Sequence, residues 1–302
     1  MKRGTILLAM AMYCYSATAQ TDTTISPRKP DTIRIGNILI IKKGGKKTKG
    51  IPKSDTTGTR IVMGRYNESS KNSRISTNWW IVDLGFANYN DRTNYNNTGS
   101  YLVNNPGTAV PSISAQDFKL KTSKSINVNI WFFMQKLNLI KQNVNLKYGL
   151  GLELNNYRYK SAITYREKGA IPYSTSGQVT NAPFIFRPDS IAYSKNKLAA
   201  DYITVPVMLN FASTPSNGKK GIMMSIGISA GYLYSQRNKQ KSDASGKHKN
   251  KGEYDLEKFK IAYIAELGLG PVRLYGSYSP KSMYEHSLDI RPYALGFRFS
   301  KF

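Results

Sequence analysis

Residues 143–155 read NVNLKYGLGLELN, and two kinds of residue separate there at every second position. Val144, Leu146, Tyr148, Leu150, Leu152 and Leu154 share one face, while Asn143, Asn145, Lys147, Gly149, Gly151, Glu153 and Asn155 share the other. A period of two belongs to a strand, because successive side chains of extended backbone point to opposite sides. One face wants hydrocarbon and the other wants water or charge. A tilted strand of about 9 to 11 residues crosses a bilayer, and this stretch is long enough.

The alternation returns along the chain. Trp80, Val82, Leu84 and Phe86 alternate with Trp79, Ile81, Asp83, Gly85 and Ala87, and Ile126, Val128, Ile130, Phe132 and Met134 with Asn127, Asn129, Trp131, Phe133 and Gln135. Further strands are read over residues 202–211, 222–234, 259–269, 272–279 and 288–302, eight in all. Pro206 lies inside one of them, so an irregular bond pattern or a bulge is expected there. The links after the second, fourth and sixth strands are short (138–142, 213–220, 270–271), and those after the first, third and fifth are long (89–119, 160–197, 235–258). Transmembrane barrels alternate short periplasmic turns with longer external loops, and an even strand number leaves both termini on the periplasmic side. The expected fold is all-β: an eight-stranded antiparallel up-and-down transmembrane β-barrel.

Mean hydropathy is -0.44 and no apolar run approaches 18 residues, which excludes a helical membrane protein but not a barrel with a polar interior. The formal charge of +26 would suit nucleic acid. An export signal argues against that partner: Lys2 and Arg3, an apolar core over 5–12, and Ala17-Thr18-Ala19 before Gln20 form a secretory signal peptide cleaved between Ala19 and Gln20. Cys14, the only cysteine, lies inside it, and the bulky Tyr13 before it argues against a lipid anchor. The mature chain then carries no disulfide, thiol nucleophile or cysteine metal site. The organisation read is a signal peptide at 1–19, a basic and largely flexible periplasmic segment at 20–75, and the barrel at 76–302. Residues 21–74 hold 13 Lys or Arg against 4 Asp or Glu. Within them DTIRIGNILIIKK, 31–43, is apolar enough for one or two short strands.

If the apolar faces meet lipid, the other faces fill an interior just wide enough for side chains. The charged inward residues are Asp83, Lys147, Glu153, Glu266, Arg273 and Arg298. Buried charges persist only when paired, so a network among these six is expected. A structural salt-bridge plug is the expected reading, set against a catalytic carboxylate pair or a conduction path.

Chemistry is otherwise sparse. A barrel hydrolase would need a Ser/His/acid set, for which Glu285, His286 and Ser287 are the candidates, but neighbours on a strand point to opposite faces. No catalytic, cofactor or metal residue is assigned, and no phosphate loop, zinc spacing or dinucleotide fingerprint is present. The loop 235–258 carries Arg237, Lys239, Lys241, Lys247, Lys249, Lys251 and Lys258, cations able to bridge lipopolysaccharide phosphates or simply to be solvated.

The leader, DTIRIGNILIIKK, the strand ADYITVPVMLNF at 200–211 and the terminal GFRFSKF together resemble the PorT-like outer-membrane β-barrel family of Bacteroidota. The resemblance implies an eight-stranded barrel akin to OmpA and OmpX in the bacterial outer membrane. Some members are linked to type IX secretion and many have no known activity. The function expected is that of a non-enzymatic, monomeric envelope barrel with a structural or interaction role, meeting membrane lipid, lipopolysaccharide and envelope or secretion proteins. The alternative is a small-solute channel or transporter.

Overall fold

The computed structural model describes three short strands, Thr32–Ile35, Ile38–Ile41 and Arg60–Met63, and then residues 74–299 apart from 108–110, 142, 175, 189–190, 214–220, 245 and 270–271. The signal peptide with Cys14, Ala19 and Gln20, the lysine-rich 42–53, the turn at 270–271 and the terminal Phe302 lie outside the described residues. The chain divides into two units, Met1–Lys71 and Asn72–Phe302. In the first, Thr32–Ile35 and Ile38–Ile41 pair as an antiparallel hairpin, and Arg60–Met63 adds to its second strand.

The second unit is built on eight long strands: β1 (Ile75–Asp91), β2 (Ile126–Ile140), β3 (Val144–Arg158), β4 (Lys195–Ala212), β5 (Ile222–Ser242), β6 (Phe259–Leu269), β7 (Val272–Tyr278) and β8 (Ile290–Phe299). Each pairs antiparallel with its sequence neighbour. β8 pairs back onto β1 from Ile290↔Asp91 to Phe299↔Val82, which closes the ring and removes every wall edge.

The alternating stretch over 143–155 supplies most of β3, and its alternation runs unbroken from Val144 to Arg158, with every odd-numbered residue buried. Elsewhere the wall turns Ile203, Val205, Leu209, Ile226, Ile228, Ile261, Leu295 and Phe297 outward, all exposed. A continuous apolar belt of this extent is not carried by a soluble monomer and belongs against hydrocarbon. Trp79 and Trp80 at one rim, and Tyr232, Tyr234, Phe259 and Tyr263 toward the other, frame it with aromatic side chains.

Two departures from strict alternation re-aim side chains. At Trp80, where φ is 55°, and at Phe132 the β1–β2 ladder carries one extra residue on each strand, between Ile81↔Trp131 and Trp79↔Phe133. Trp79 is therefore outward rather than inward. Met134, expected on the lipid face, is fully buried in the interior. In β5 the pairing to β4 slips between Asp201↔Ser235 and Tyr202↔Leu233, leaving Tyr234 as the extra residue. Below that bulge even-numbered β5 residues face out, and above it odd-numbered ones do. Pro206 produces no slip: the β3 ladder lacks bonds at Val205 and Pro206, but the register on both sides is unchanged.

Close packing inside explains the glycines of β3. A Cβ on Gly151 would stand 2.6 Å from Trp131 Cε3, and one on Gly149 would stand 3.0 Å from Met134 Cγ. Their absence lets both large side chains lie flat on the β3 backbone.

The external links are folded structures rather than open loops. Leu102–Val103, Phe184–Phe186 and Thr164–Arg166 form a three-stranded sheet, with Ile185 paired in parallel to Leu102. β5 runs to Ser242, well past its expected end at 234, and Gly246–Lys251 is a further strand paired along it. The segment read as a loop at 235–258 is thus mostly β-ribbon.

Candidate functional site

The interior is organised on Asp83, which is completely buried. β8 sets Arg298 directly opposite it across the ring-closing ladder, and the pair is bidentate: Nε donates to Oδ1 at 2.6 Å and Nη2 to Oδ2 at 2.7 Å. Trp131 Nε1 donates to the same carboxylate at 2.8 Å and Asn129 Nδ2 at 3.2 Å. Arg298 also pairs with Glu266, which in turn pairs with Lys147. Asp83, Arg298, Glu266 and Lys147 are therefore one connected group.

Glu153 stands apart from that group and is paired with Lys260. Lys260 lies 5.3 Å from the centre of the Tyr202 ring. Arg273, 8% exposed, makes no ion pair with a described residue. The ion-paired interior set is Asp83, Glu153 and Glu266 against Lys147, Lys260 and Arg298, which sums to zero charge. Alternation along Phe259–Leu269 turns Lys260 inward as well, but nothing in one sequence says which inward charges lie level with one another.

Neutral groups link the pairs. Asn155 donates to Glu153 at 2.9 Å, Asn127 to Asn155 at 2.8 Å, and the Tyr275 hydroxyl to Asn127. Toward the opposite rim Asn145 donates to Asn210 at 3.2 Å, and Asn210 to Ser225 at 3.0 Å. Two cavities between these side chains, one beside Lys147 and Arg273 and one beside Trp131 and Glu153, measure about 10 and 20 Å³. Each has room for about one water.

Over the loop-side mouth lies a second core of opposite character. Tyr101, Phe118, Tyr159, Ile163, Tyr165, Ile185, Tyr254 and Tyr284 are all at most 5% exposed and pack as one cluster with Leu198 and Tyr202 of the wall. Buried phenols need partners. Tyr165 OH lies 2.7 Å from both Tyr159 OH and Tyr284 OH, and Tyr101 OH donates to the Tyr254 carbonyl at 2.7 Å. Burial holds the Tyr101, Tyr165 and Tyr284 hydroxyls well above the ordinary tyrosine range. Asp117 staples the cap from outside, accepting from Arg187 at 2.7 Å, Ser161 at 2.8 Å and the Ser114 amide at 3.1 Å. These loop aromatics follow no period of two or 3.6, which is why they carry no sequence signal.

His286 is exposed in the last external link, its Nδ1 2.9 Å from Asp255 Oδ1. Asp255 also accepts from the His286 and Ser287 amides at 3.3 and 3.2 Å. With Glu285 these two bring one ligand atom each within 4.8 Å, the group among the described residues that could meet round a cation. The loop-fastening bonds of Asp255 already account for the closeness. The hydrogen bond to Asp255, then its charge, raises the His286 pKa above 6.5. A raised folded-state pKa means that this contact contributes stability in full below about 6.5 and loses it as pH rises through the folded value. Carbon-13 histidine NMR is expected to give a His286 midpoint above 6.5 that falls back in Asp255→Asn. An unchanged midpoint in that variant would remove Asp255 as the cause.

A family model, the outer membrane protein beta-barrel domain, matches residues 76–280, from the start of β1 through β7. The chain belongs to this family. Its location is the bacterial outer membrane, in keeping with the apolar outer wall. No curated protein matches the chain. Among solved structures it is similar to Ail, the attachment invasion locus protein of Yersinia pestis, whose crystal structure is in complex with the heparin analogue sucrose octasulfate; identity is 11%, the TM-score 0.26, and 74% of this chain and 98% of that chain are covered. The family match stops before β8, the strand that brings Arg298 to Asp83 and completes the ring.

Proposed function

We propose that this outer-membrane barrel is a non-conducting, non-enzymatic interaction protein of the envelope, whose interior serves stability and whose outer surface and loops serve contact. The observation that carries the reading is the doubly closed interior. A charge-neutral ion-pair network occupies the lumen, two cavities beside it measure about 10 and 20 Å³, and the tyrosine-rich cap covers the mouth. A solute path would require breaking buried ion pairs, each costing about 3–5 kcal/mol when one partner is lost. The six inward charges are accordingly read as positioning and stability residues rather than catalysts. ADYITVPVMLNF and the basic 20–75 segment support a PorT-like envelope role with the N-terminal segment in the periplasm, where it is free to meet envelope or secretion proteins.

Planar-bilayer recording of the purified barrel tests this directly. No stable conductance above the lipid baseline is expected. A large, persistent conductance would overturn the plug and favour a small-solute channel, while specific partners captured by crosslinking in outer membranes would support the contact role.

A further inference from the structure

The β4–β5 ribbon continues past the aromatic rim, and its outer face there is a lattice of cations. Registered pairing sets Lys195, Lys241 and Lys247 in one row, and Arg158, Lys197, Lys239 and Lys249 in the next. Arg237 and Lys251 form a third row, nearest the membrane belt. Neighbouring strands stand about 4.8 Å apart, and alternate residues along a strand about 7 Å. Nine cations therefore share a patch of about 15 by 15 Å. Asp201, paired with Arg237, is the single carboxylate that the strand register places on this face; Asp243 lies at the exposed tip of the turn beyond. Like charges directly opposite one another on a sheet are destabilising, so the arrangement runs against stability unless anions complete it.

The other face explains the orientation. Asn196, Asn238 and Gln240 are buried there and tie the ribbon to the cap: Asn196 donates to the Ile163 carbonyl at 2.6 Å, and Gln240 to Thr164 Oγ1 at 2.9 Å. With neutral amides committed inward, the cations have no direction left but out. The β5 bulge at Tyr234 performs the switch, since above it the odd-numbered Arg237, Lys239 and Lys241 take the outward face.

Resting on the reading of this protein as a barrel that acts through its outer surface, we propose that the lattice is a binding site for phosphorylated lipid headgroups of the outer leaflet. The position selects this occupant. The cations sit on the side wall rather than over the mouth, in line with lipid-facing Ile203 and Tyr232 on the same strands. Ala199, level with Arg237, is four residues from Ile203 along β4, about 13 Å of tilted strand, which puts the lowest row at headgroup height. Clustered Lys and Arg beside a membrane attract anionic headgroups. A lattice of several rows engages more than one phosphate at a time.

The test uses the full-length protein in phosphatidylcholine nanodiscs containing bisphosphorylated lipid A, with bound lipid A counted by native mass spectrometry. Lys197→Gln/Lys239→Gln/Lys249→Gln empties the central row of its lysines, and Lys124→Gln/Lys141→Gln/Lys168→Gln removes the same charge elsewhere. The first triple variant is expected to bind lipid A about a hundredfold more weakly, and the second to match the unaltered protein. Dephosphorylated lipid A is expected to bind all three alike. Equal lipid A binding by the two triple variants overturns the proposal. So does a barrel that ignores lipid A but captures soluble heparin through this row, because the occupant is then a free polyanion. Heat-modifiable migration on unboiled gels confirms that each variant is folded. Conductance in planar-bilayer recording would sink the plug without touching the lattice, so the two readings fail separately.

Discussion

Asp83→Ala is expected to lower the unfolding free energy of the barrel by about 3–5 kcal/mol, read from denaturant midpoints in detergent micelles. The carboxylate holds both ends of the Arg298 fork, the Trp131 indole and the Asn129 amide. Removing it strands a guanidinium that is 6% exposed, with only Glu266 left to compensate. The double variant Asp83→Ala/Arg298→Met is expected to recover much of the loss, because an apolar pair of similar volume replaces a buried ion pair at little net cost while Glu266 keeps Lys147. If the single variant unfolds at the original midpoint, the interior is wetter than its cavities indicate and the plug weakens as an explanation. Asp83 and Arg298 also belong to the first and last strands of the wall, so their pair latches the seam at which the ring closes.

Tyr165→Ala is expected to act on the cap alone. The side chain is fully buried, stacks at 6.0 Å on Tyr159 and satisfies two other phenols. Truncating a buried aromatic costs about 3–5 kcal/mol. That cost falls on the local opening of the loops, not on wall strands held by their own ladders and by lipid. Hydrogen exchange at the Ile185 amide, which donates to the Tyr101 carbonyl at 2.7 Å, is expected to accelerate about a hundredfold or more, with wall amides unchanged. Parallel acceleration throughout the wall would show that cap and barrel open as one unit and would refute their energetic separation.

How much of this was legible depends on whether neighbours or distant residues set a position. β3 could be read residue by residue, since one period and two solvents determine each side chain from Val144 to Arg158. Met134 could not, because a bulge at Phe132 reverses the parity after it and the letters on either side look regular. Inward charges were visible as a set, but Lys260 reached Glu153 through strand tilt and stagger, quantities that no local pattern encodes. The cap was invisible for a different reason: Phe118, Tyr165 and Ile185 come together from separate links without periodicity. The cation lattice did carry a signal, in KNK, RNKQK and KHKNK, where positive charge repeats every second residue as it does on a strand. Read as loop composition, the same letters looked like solvated lysines.

A strand has a reading frame of two, and this chain changes frame once in β5. Tyr234 is the inserted character. Were β5 regular through Tyr234, with no bulge to absorb the extra residue, the amides of Asn238 and Gln240 would be spelled outward and Arg237, Lys239 and Lys241 would be driven toward the tyrosine cap. One backbone irregularity thus lets a single continuous strand serve three media in succession, lipid on its lower outer face, a packed polar interior behind, and a charged boundary above. Small insertions near this point would be frameshifts in a literal sense, changing which solvent every later side chain meets while leaving the amino-acid sequence beyond them untouched.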